Sequence, residues 1–418
     1  MNSSFITVAG KSTKEERTVN HSTFFYSGFA LLFLVWGCNT EDQPSPELSE
    51  TDREAWTLHQ EKLDQITAYS VRPDQAAEYP ISDWLREVRY VALDLPGELI
   101  LREVRQIHVD ESSIYIRDEG LGGGHSRFFS FDRDGQFNYM IDEPGRGPGE
   151  YDRVYDFAVT ESHLIISTNI NFLFFDKQSG EFIRSEELPR NFSVQIFEML
   201  DEQTLVSEAG RTLHNRSRNL VQIYDFEQQE LLHQAVPFQN HALKGGHTYR
   251  YLFKTGDTLS VIPMYEPVVY RVTGDEGDYS VKPAYSFDFG DFWIDEEFLA
   301  GSYDNRDRFF RDQGMYVHTL DIFETEQVIY VHYRLEGRDY IYFHDLQSGR
   351  SADISSFTDN RMGWHGTPFT TDGDWIVNLV TPFDVEESGE EPVEELRRIL
   401  EQIDDEGDPI LVFGKFGH

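Results

Sequence analysis

The sequence predicts an all-β protein, a six-bladed β-propeller with four-stranded antiparallel blades, and three observations predict it. An apolar strand, a polar turn and a second strand rich in β-branched or aromatic residues recur six times: IHVDESSIYI from Ile107, FAVTESHLIIS from Phe157, EMLDEQTLVS from Glu198, YLFKTGDTLSVI from Tyr251, IFETEQVIYVH from Ile322 and FTTDGDWIVNL from Phe369. Most copies are followed by a second hairpin with an aromatic-rich strand and a Gly-containing turn, as in FFSFDRDGQF from Phe128, FLFFDKQSGEFI from Phe172 and IYFHDLQSGRS from Ile341. The apolar period is two residues, not the roughly 3.6 of a helix. Four strands in roughly 40 to 70 residues is the size of a propeller blade, and a radial array leaves only short, protected sheet edges.

Taken in order, the chain opens with an apolar, uncharged stretch from Thr23 to Gly37 (TFFYSGFALLFLVWG). It is shorter than the about 20 residues of a comfortable membrane span and reads as the apolar region of a signal peptide over residues 1–37. The only cysteine, Cys38, closes the run Val35-Trp36-Gly37-Cys38, which resembles a bacterial lipobox, in which the cysteine becomes the lipidated first residue of the mature chain. Two or more acyl chains give stable membrane attachment. Residues 38–80 are polar, acidic and proline-containing, an expected tether with room for a short helix over 54–68.

The propeller is expected over residues 81–418. WLREVRYVALD (Trp84 to Asp94) is a strand without a hairpin partner, and the sixth unit lacks its second hairpin but is followed by the terminal strand in PILVFGKF. The early strand is expected to join the last blade and close the ring. Two insertions break the rhythm, at about 290–315, which is aromatic and charged, and at about 384–408. Within the second, Val393, Leu396, Leu400 and Ile403 form a helical stripe behind Pro392.

The 75 acidic side chains outnumber the 36 basic ones, for a formal net charge of -39. Such a surface repels polyanions, so nucleic acid is excluded as a partner. On the lipobox resemblance the one cysteine is committed to lipid and the mature chain would then form no disulfide, which a large domain does not require. A monomer is expected.

GRGPGEY, residues 145–151, lies between the outermost strand of one blade and the innermost strand of the next. It lacks the Lys-Ser/Thr pair and the following helix of a phosphate-binding loop, and it fails as a dinucleotide fingerprint for the same reason. The expectation is an interblade connection whose glycines permit special backbone angles, with Arg146 and Glu150 paired across it. A strand, then GRGPGEY, then a DFAV-type strand is similar to the signature of the six-bladed β-propeller lipoproteins of Bacteroidetes-type bacteria, an NHL-like group. WLREVRYVALD and PILVFGKF also resemble that family's first and last strands. The resemblance covers about residues 80–418. It implies a six-bladed propeller, a lipid-anchored place in the cell envelope at the outer membrane, periplasmic or surface-exposed, and for most members no established reaction. Glu41 and Asp42 resemble the surface-export signal of such lipoproteins.

No catalytic constellation is evident. The histidines do not recur in register from blade to blade, no HExxH or GxSxG occurs, and Asp132-Arg133-Asp134-Gly135 does not continue as a calcium loop. The expected function is a binding or scaffold module for a peptide, glycan or envelope protein. The alternative is a metal-dependent hydrolase or lyase of the lactonase or NHL-lyase kind, which would require calcium or zinc; no cofactor is otherwise expected. Arg146, Glu150, Tyr151, Trp293, Trp364 and His365 are the expected binding residues, with Cys38 the lipidation site and metal ligands unassigned.

Overall fold

The six expected units fold as six sheets, antiparallel four-stranded blades arranged in a ring. The computed structural model describes residues 50–418 apart from 121–123, 169–170, 188–191, 193, 195, 210–217, 239–251, 276–277, 301–311, 360, 365, 388, 404–408 and 418. Three strands lead, β1 (Thr67–Ser70), β2 (Ala77–Pro80) and β3 (Leu85–Ala92). The first blade is β4 (Val104–Val109), β5 (Ser113–Glu119), β6 (Ser126–Asp132) and β7 (Phe137–Ile141). The second is β8 (Val154–Val159), β9 (His163–Thr168), β10 (Asn171–Asp176) and β11 (Phe182–Glu187). The third is β12 (Ile196–Met199), β13 (Thr204–Glu208), β14 (Asn219–Asp225) and β15 (Glu230–Pro237). The fourth is β16 (Leu252–Thr255), β17 (Thr258–Val261), β18 (Val268–Asp275) and β19 (Asp278–Asp288). The fifth is β20 (Leu320–Glu324), β21 (Val328–Leu335), β22 (Arg338–Asp345) and β23 (Ser351–Thr358). The sixth takes β24 (Thr370–Asp372), β25 (Trp375–Val380) and β26 (Ile410–Phe416), and its fourth strand is β3.

Strand β10, NFLFFD, shows how the period of two builds the ring. Phe172 and Phe174 enter the core shared with the third blade, packing edge-on against Phe226 with ring centroids 5.0 and 5.2 Å away. Leu173 and Phe175 enter the core shared with the first blade. Middle strands therefore have no solvent face, and β9 and β14 are buried almost end to end, whereas outer β11 alternates between half-buried and exposed. The apolar interior is divided accordingly: each of six clusters fills one seam between neighbouring blades.

Polar groups bridge the same seams. Arg117 of the first blade donates to the carbonyls of Val154 and Tyr155 in the second, at 3.0 and 2.8 Å. Glu324 of the fifth blade accepts from Arg271 and from the Tyr285 hydroxyl of the fourth, and Arg133 of the first pairs with Asp372 of the sixth. Buried Arg117 and Glu324 thus find partners across a seam, as the desolvation of charged groups demands.

The folded body begins earlier than residue 81. A helix, Glu50–Leu63, is followed by β1 and β2, which add in parallel to the outer edges of the fourth and fifth blades. Arg72 between them donates its backbone N–H to Asp353 of the fifth blade and a guanidinium N–H to the Asp288 carbonyl of the fourth, both at 2.9 Å. The expected tether thus contains edge strands that cover otherwise unpaired backbone. Residues 1–49, with the expected signal segment, Cys38, Glu41 and Asp42, lie outside the described residues.

β3 pairs antiparallel with the terminal strand β26, from Ala92 opposite Ile410 to Glu87 opposite Lys415, after which the register shifts to set Leu85 opposite Phe416. The later insertion lies inside the sixth blade, between β25 and β26, and carries helices Pro382–Glu387 and Glu394–Leu400. Leu396 is fully buried in the seam between the fifth and sixth blades, with Val393, Leu400 and Ile403 packed against that core. The earlier insertion carries a short helix, Glu296–Ala300.

Candidate functional site

Antiparallel blades sort their connections onto two faces. Each innermost strand ends in a tight turn into the second strand on one face, while the longer connections between blades lie on the other. The first strands of successive blades lie side by side around the axis. Their turns define a cavity of about 1270 Å³. It is lined by the inner turns of the first, second, third, fourth and sixth blades, which places it at the mouth of the axis. A lobe lined by Thr204, Asp225, Gln228, Leu232 and Tyr279 carries it outward along the seam between the third and fourth blades.

The cavity joins an apolar floor to an acidic wall. Val159, Met199, Leu200, Leu252 and Phe253 supply the floor. On the wall, one set of carboxylates is neutralised by cations: Lys177 is 2.7 Å from Asp110, Lys254 is 3.4 Å from Glu198, and Asp372 meets Arg133. His163, beside the cavity, lies 2.7 Å from Glu202. A second set is not neutralised. Among the described residues no cation pairs with Glu111 or Glu161, which are exposed at the rim, and Asp201 accepts only the turn N–H groups of Gln203 and Thr204, at 2.8 and 2.7 Å.

Burial would push the Asp110 carboxyl up, but Lys177 and the turn amides of Ser112 and Ser113 together hold it below the usual carboxylate range. Glu202 is held low in the same way, against its partial burial, by His163, Thr160 and Ser162. His108, on the cavity wall, is pushed down by burial, ahead of the opposing pull of Glu198, and stays neutral at physiological pH. Asp110 and Glu202 therefore stay ionised in neutral solution. Among the described residues, no three His, Cys, Asp or Glu side chains come together as metal ligands.

The expected binding residues that the structure describes lie on the opposite face, in the connections between blades. In GRGPGEY the Glu150 carboxylate accepts the backbone N–H groups of Arg146 and Gly147, at 2.9 and 2.8 Å, and so clips its own loop. The expected Arg146–Glu150 pair does not form: with Glu150 turned onto the backbone, the exposed Arg146 guanidinium pairs with Asp152 at 3.1 Å. Gly149 has φ +80°, and a Cβ there would lie 2.8 Å from the Phe182 ring. Tyr151 is buried, stacks on His125 at 4.9 Å and donates its hydroxyl to the Ile141 carbonyl at 3.1 Å. Burial pushes its phenol well up.

Trp293 stacks on Phe289 at 5.5 Å and is packed against two apolar clusters. Trp364 is 3% exposed and meets Phe416 edge-on at 4.9 Å. His365 lies outside the described residues. The structure thus brings the described positions, Arg146, Glu150, Tyr151, Trp293 and Trp364, to one face but puts the rings of Tyr151 and Trp364 inside the packing, and it sets none of these five beside the cavity. Sequence reasoning passed over the cavity, although a signal was present: an acidic residue recurs in the same turn of every unit, at Glu111, Glu161, Glu202, Asp257, Glu326 and Asp374.

A protein family described as "Domain of unknown function (DUF4934)" matches residues 65–415. No curated protein matches the chain. Among solved structures, a protein of Bacteroides fragilis NCTC 9343 described as a "Putative exported protein" superposes with a TM-score of 0.69 at 18% identity, covering 84% of this chain and 100% of its own; similarity at that level shows the fold alone. The extracellular domain of a "putative one component system" from B. thetaiotaomicron aligns with a TM-score of 0.32 at 15% identity, over 64% of this chain, which spans 29% of that one. The Neurospora crassa Pan2 WD40 domain aligns with a TM-score of 0.38 at 11% identity, over 81% and 98% of the two chains.

Proposed function

The chain belongs to the DUF4934 family, a domain family of unknown function, and from that premise we propose that it is a binding module of the cell envelope, anchored by lipid at Cys38, that holds a peptide, glycan or partner protein in its axial cavity. The observation that carries this reading is the cavity itself. At about 1270 Å³ it exceeds the roughly 300–1,000 Å³ of common small-molecule pockets, and it combines an apolar floor with charged groups set on rigid turns. A ring of blades closed by six packed seams holds such a constellation without a lid. The envelope location is supported by the apolar segment before Cys38 and by the exported B. fragilis protein that shares the fold.

Two experiments test the reading. A Leu200→Trp variant fills the cavity without changing its charge, so thermal-shift titrations with peptide and oligosaccharide panels should give hits on the native chain that the variant loses. Hits that survive in the variant would put binding elsewhere. Separately, the native chain expressed in a Gram-negative host should be labelled by a palmitate analogue, and Cys38→Ser should abolish that labelling. Labelling that persists in the variant, or that is absent from the native chain, would refute the anchor.

A further inference from the structure

We propose that the ligand of the axial cavity is a basic polypeptide segment, an extended stretch carrying lysine or arginine side chains alternating with apolar ones; this rests on the cavity being the binding site. Three observations combine. First, the charge is one-sided where it meets solvent. Among the described residues, Asp110, Glu198 and Asp372 have cationic partners, and Glu111, Glu161 and Asp201 are left to present negative charge at the mouth. Oppositely charged ligands are steered and oriented by such a rim.

Second, the acids are spread around the axis on separate turns, and among the described residues they do not converge as metal ligands. The arrangement suits several cationic groups spaced along a chain and not one small ion. Third, the space is long. It runs from the axis, over Leu200 and Leu252, to the lobe floored by Leu232 and Tyr279 between the third and fourth blades. A small polyamine would leave that apolar floor uncovered, whereas alternate side chains of an extended peptide would face the floor and the rim in turn.

The test uses the full chain and three fluorescein-labelled octapeptides, of alternating lysine and leucine, glutamate and leucine, and serine and leucine, with fluorescence anisotropy as the readout. The lysine peptide should bind, more weakly as salt rises. The exposed double variant Glu111→Gln/Glu161→Gln should keep the native melting temperature and lose affinity by roughly three- to ten-fold, and Leu200→Trp should remove binding. If the serine or glutamate peptide binds as tightly as the lysine peptide and Leu200→Trp removes that binding, the cavity is a site but its ligand is not basic. If spermidine binds and the lysine peptide does not displace it, the cation is a small polyamine and the peptide assignment falls. If Leu200→Trp alters no binding at all, the cavity reading falls with it.

Discussion

The Asp156 carboxylate accepts the backbone N–H of Phe197 at 2.8 Å, tying the innermost strand of the second blade to that of the third. Its other oxygen accepts the N–H of Phe157 at 2.9 Å. Burial pushes this carboxyl up to about 7, against the opposing pull of the two N–H donors and Arg117. The unfolded value is about 3.9. The folded state therefore holds the proton more tightly, and the stability this supplies is complete below about pH 4 and lost as pH rises through about 7. Urea unfolding should show the free energy falling over that window. In Asp156→Asn that part of the slope should vanish, and because the amide nitrogen must face one of two N–H groups the variant should lose about 1–3 kcal/mol at pH 5. An unchanged slope would mean that Asp156 does not titrate there.

The pairing of β3 with β26 carries the largest structural prediction. Trp84, just before β3, is fully buried, 4.5 Å from the Phe343 ring, and Val91 contributes to the seam between the sixth and first blades. Removing residues 84–93 would expose two seams and the edge of β26 together. The whole domain should then lose its cooperative thermal transition, while Trp84→Ala alone should cost about 3–5 kcal/mol. A truncated chain that melts like the native one would rule out ring closure through β3.

How far the sequence could be read depends on where each residue lies. In NFLFFD the alternation is explicit because both faces of a middle strand are buried, so the blades were legible from apolar period and turn residues alone. β1, TAYS, and β2, AEYP, were not: they are four residues long and mostly exposed, and what makes them strands is the edge they pair with, far away in the chain. The cavity was hidden for a related reason. Glu111 or Glu161 read singly is an ordinary turn residue, and only the closed ring brings such turns around one axis. Trp293 and Trp364 stood out as large aromatic side chains, yet size is also what packing selects.

Gly149 of GRGPGEY sits against an aromatic ring. Its left-handed backbone and the Phe182 ring 2.8 Å from a would-be Cβ oppose any side chain. Gly149→Ala should cost about 1–3 kcal/mol in denaturant unfolding. At Gly147 a Cβ would meet only the Glu150 carboxylate, at 3.1 Å, so Gly147→Ala should be milder. Arg146→Ala, at an 88% exposed side chain, should stay within about 0.5 kcal/mol of native. A reversed ranking would give this loop a role other than joining two blades.

The helix Glu50–Leu63 should leave the propeller in acid. His59 stacks on Tyr270 of the fourth blade with ring centroids 5.7 Å apart, and its Nε2 lies 3.0 Å from the Tyr270 hydroxyl. Burial against the blade, with a smaller contribution from Lys62, lowers this imidazole to about 4. An unfolded or undocked histidine titrates near 6.5. The docked state thus binds fewer protons, and docking is complete above about pH 6.5 and lost as pH falls through about 4. Hydrogen exchange of the 50–63 amides, corrected for intrinsic rates, should rise over that window while amides of the central strands β9 and β14 remain protected. In His59→Phe, which keeps a ring against Tyr270 but cannot be protonated, the acid-induced rise should disappear. If the variant opens with the same pH profile as the native chain, another group controls the docking.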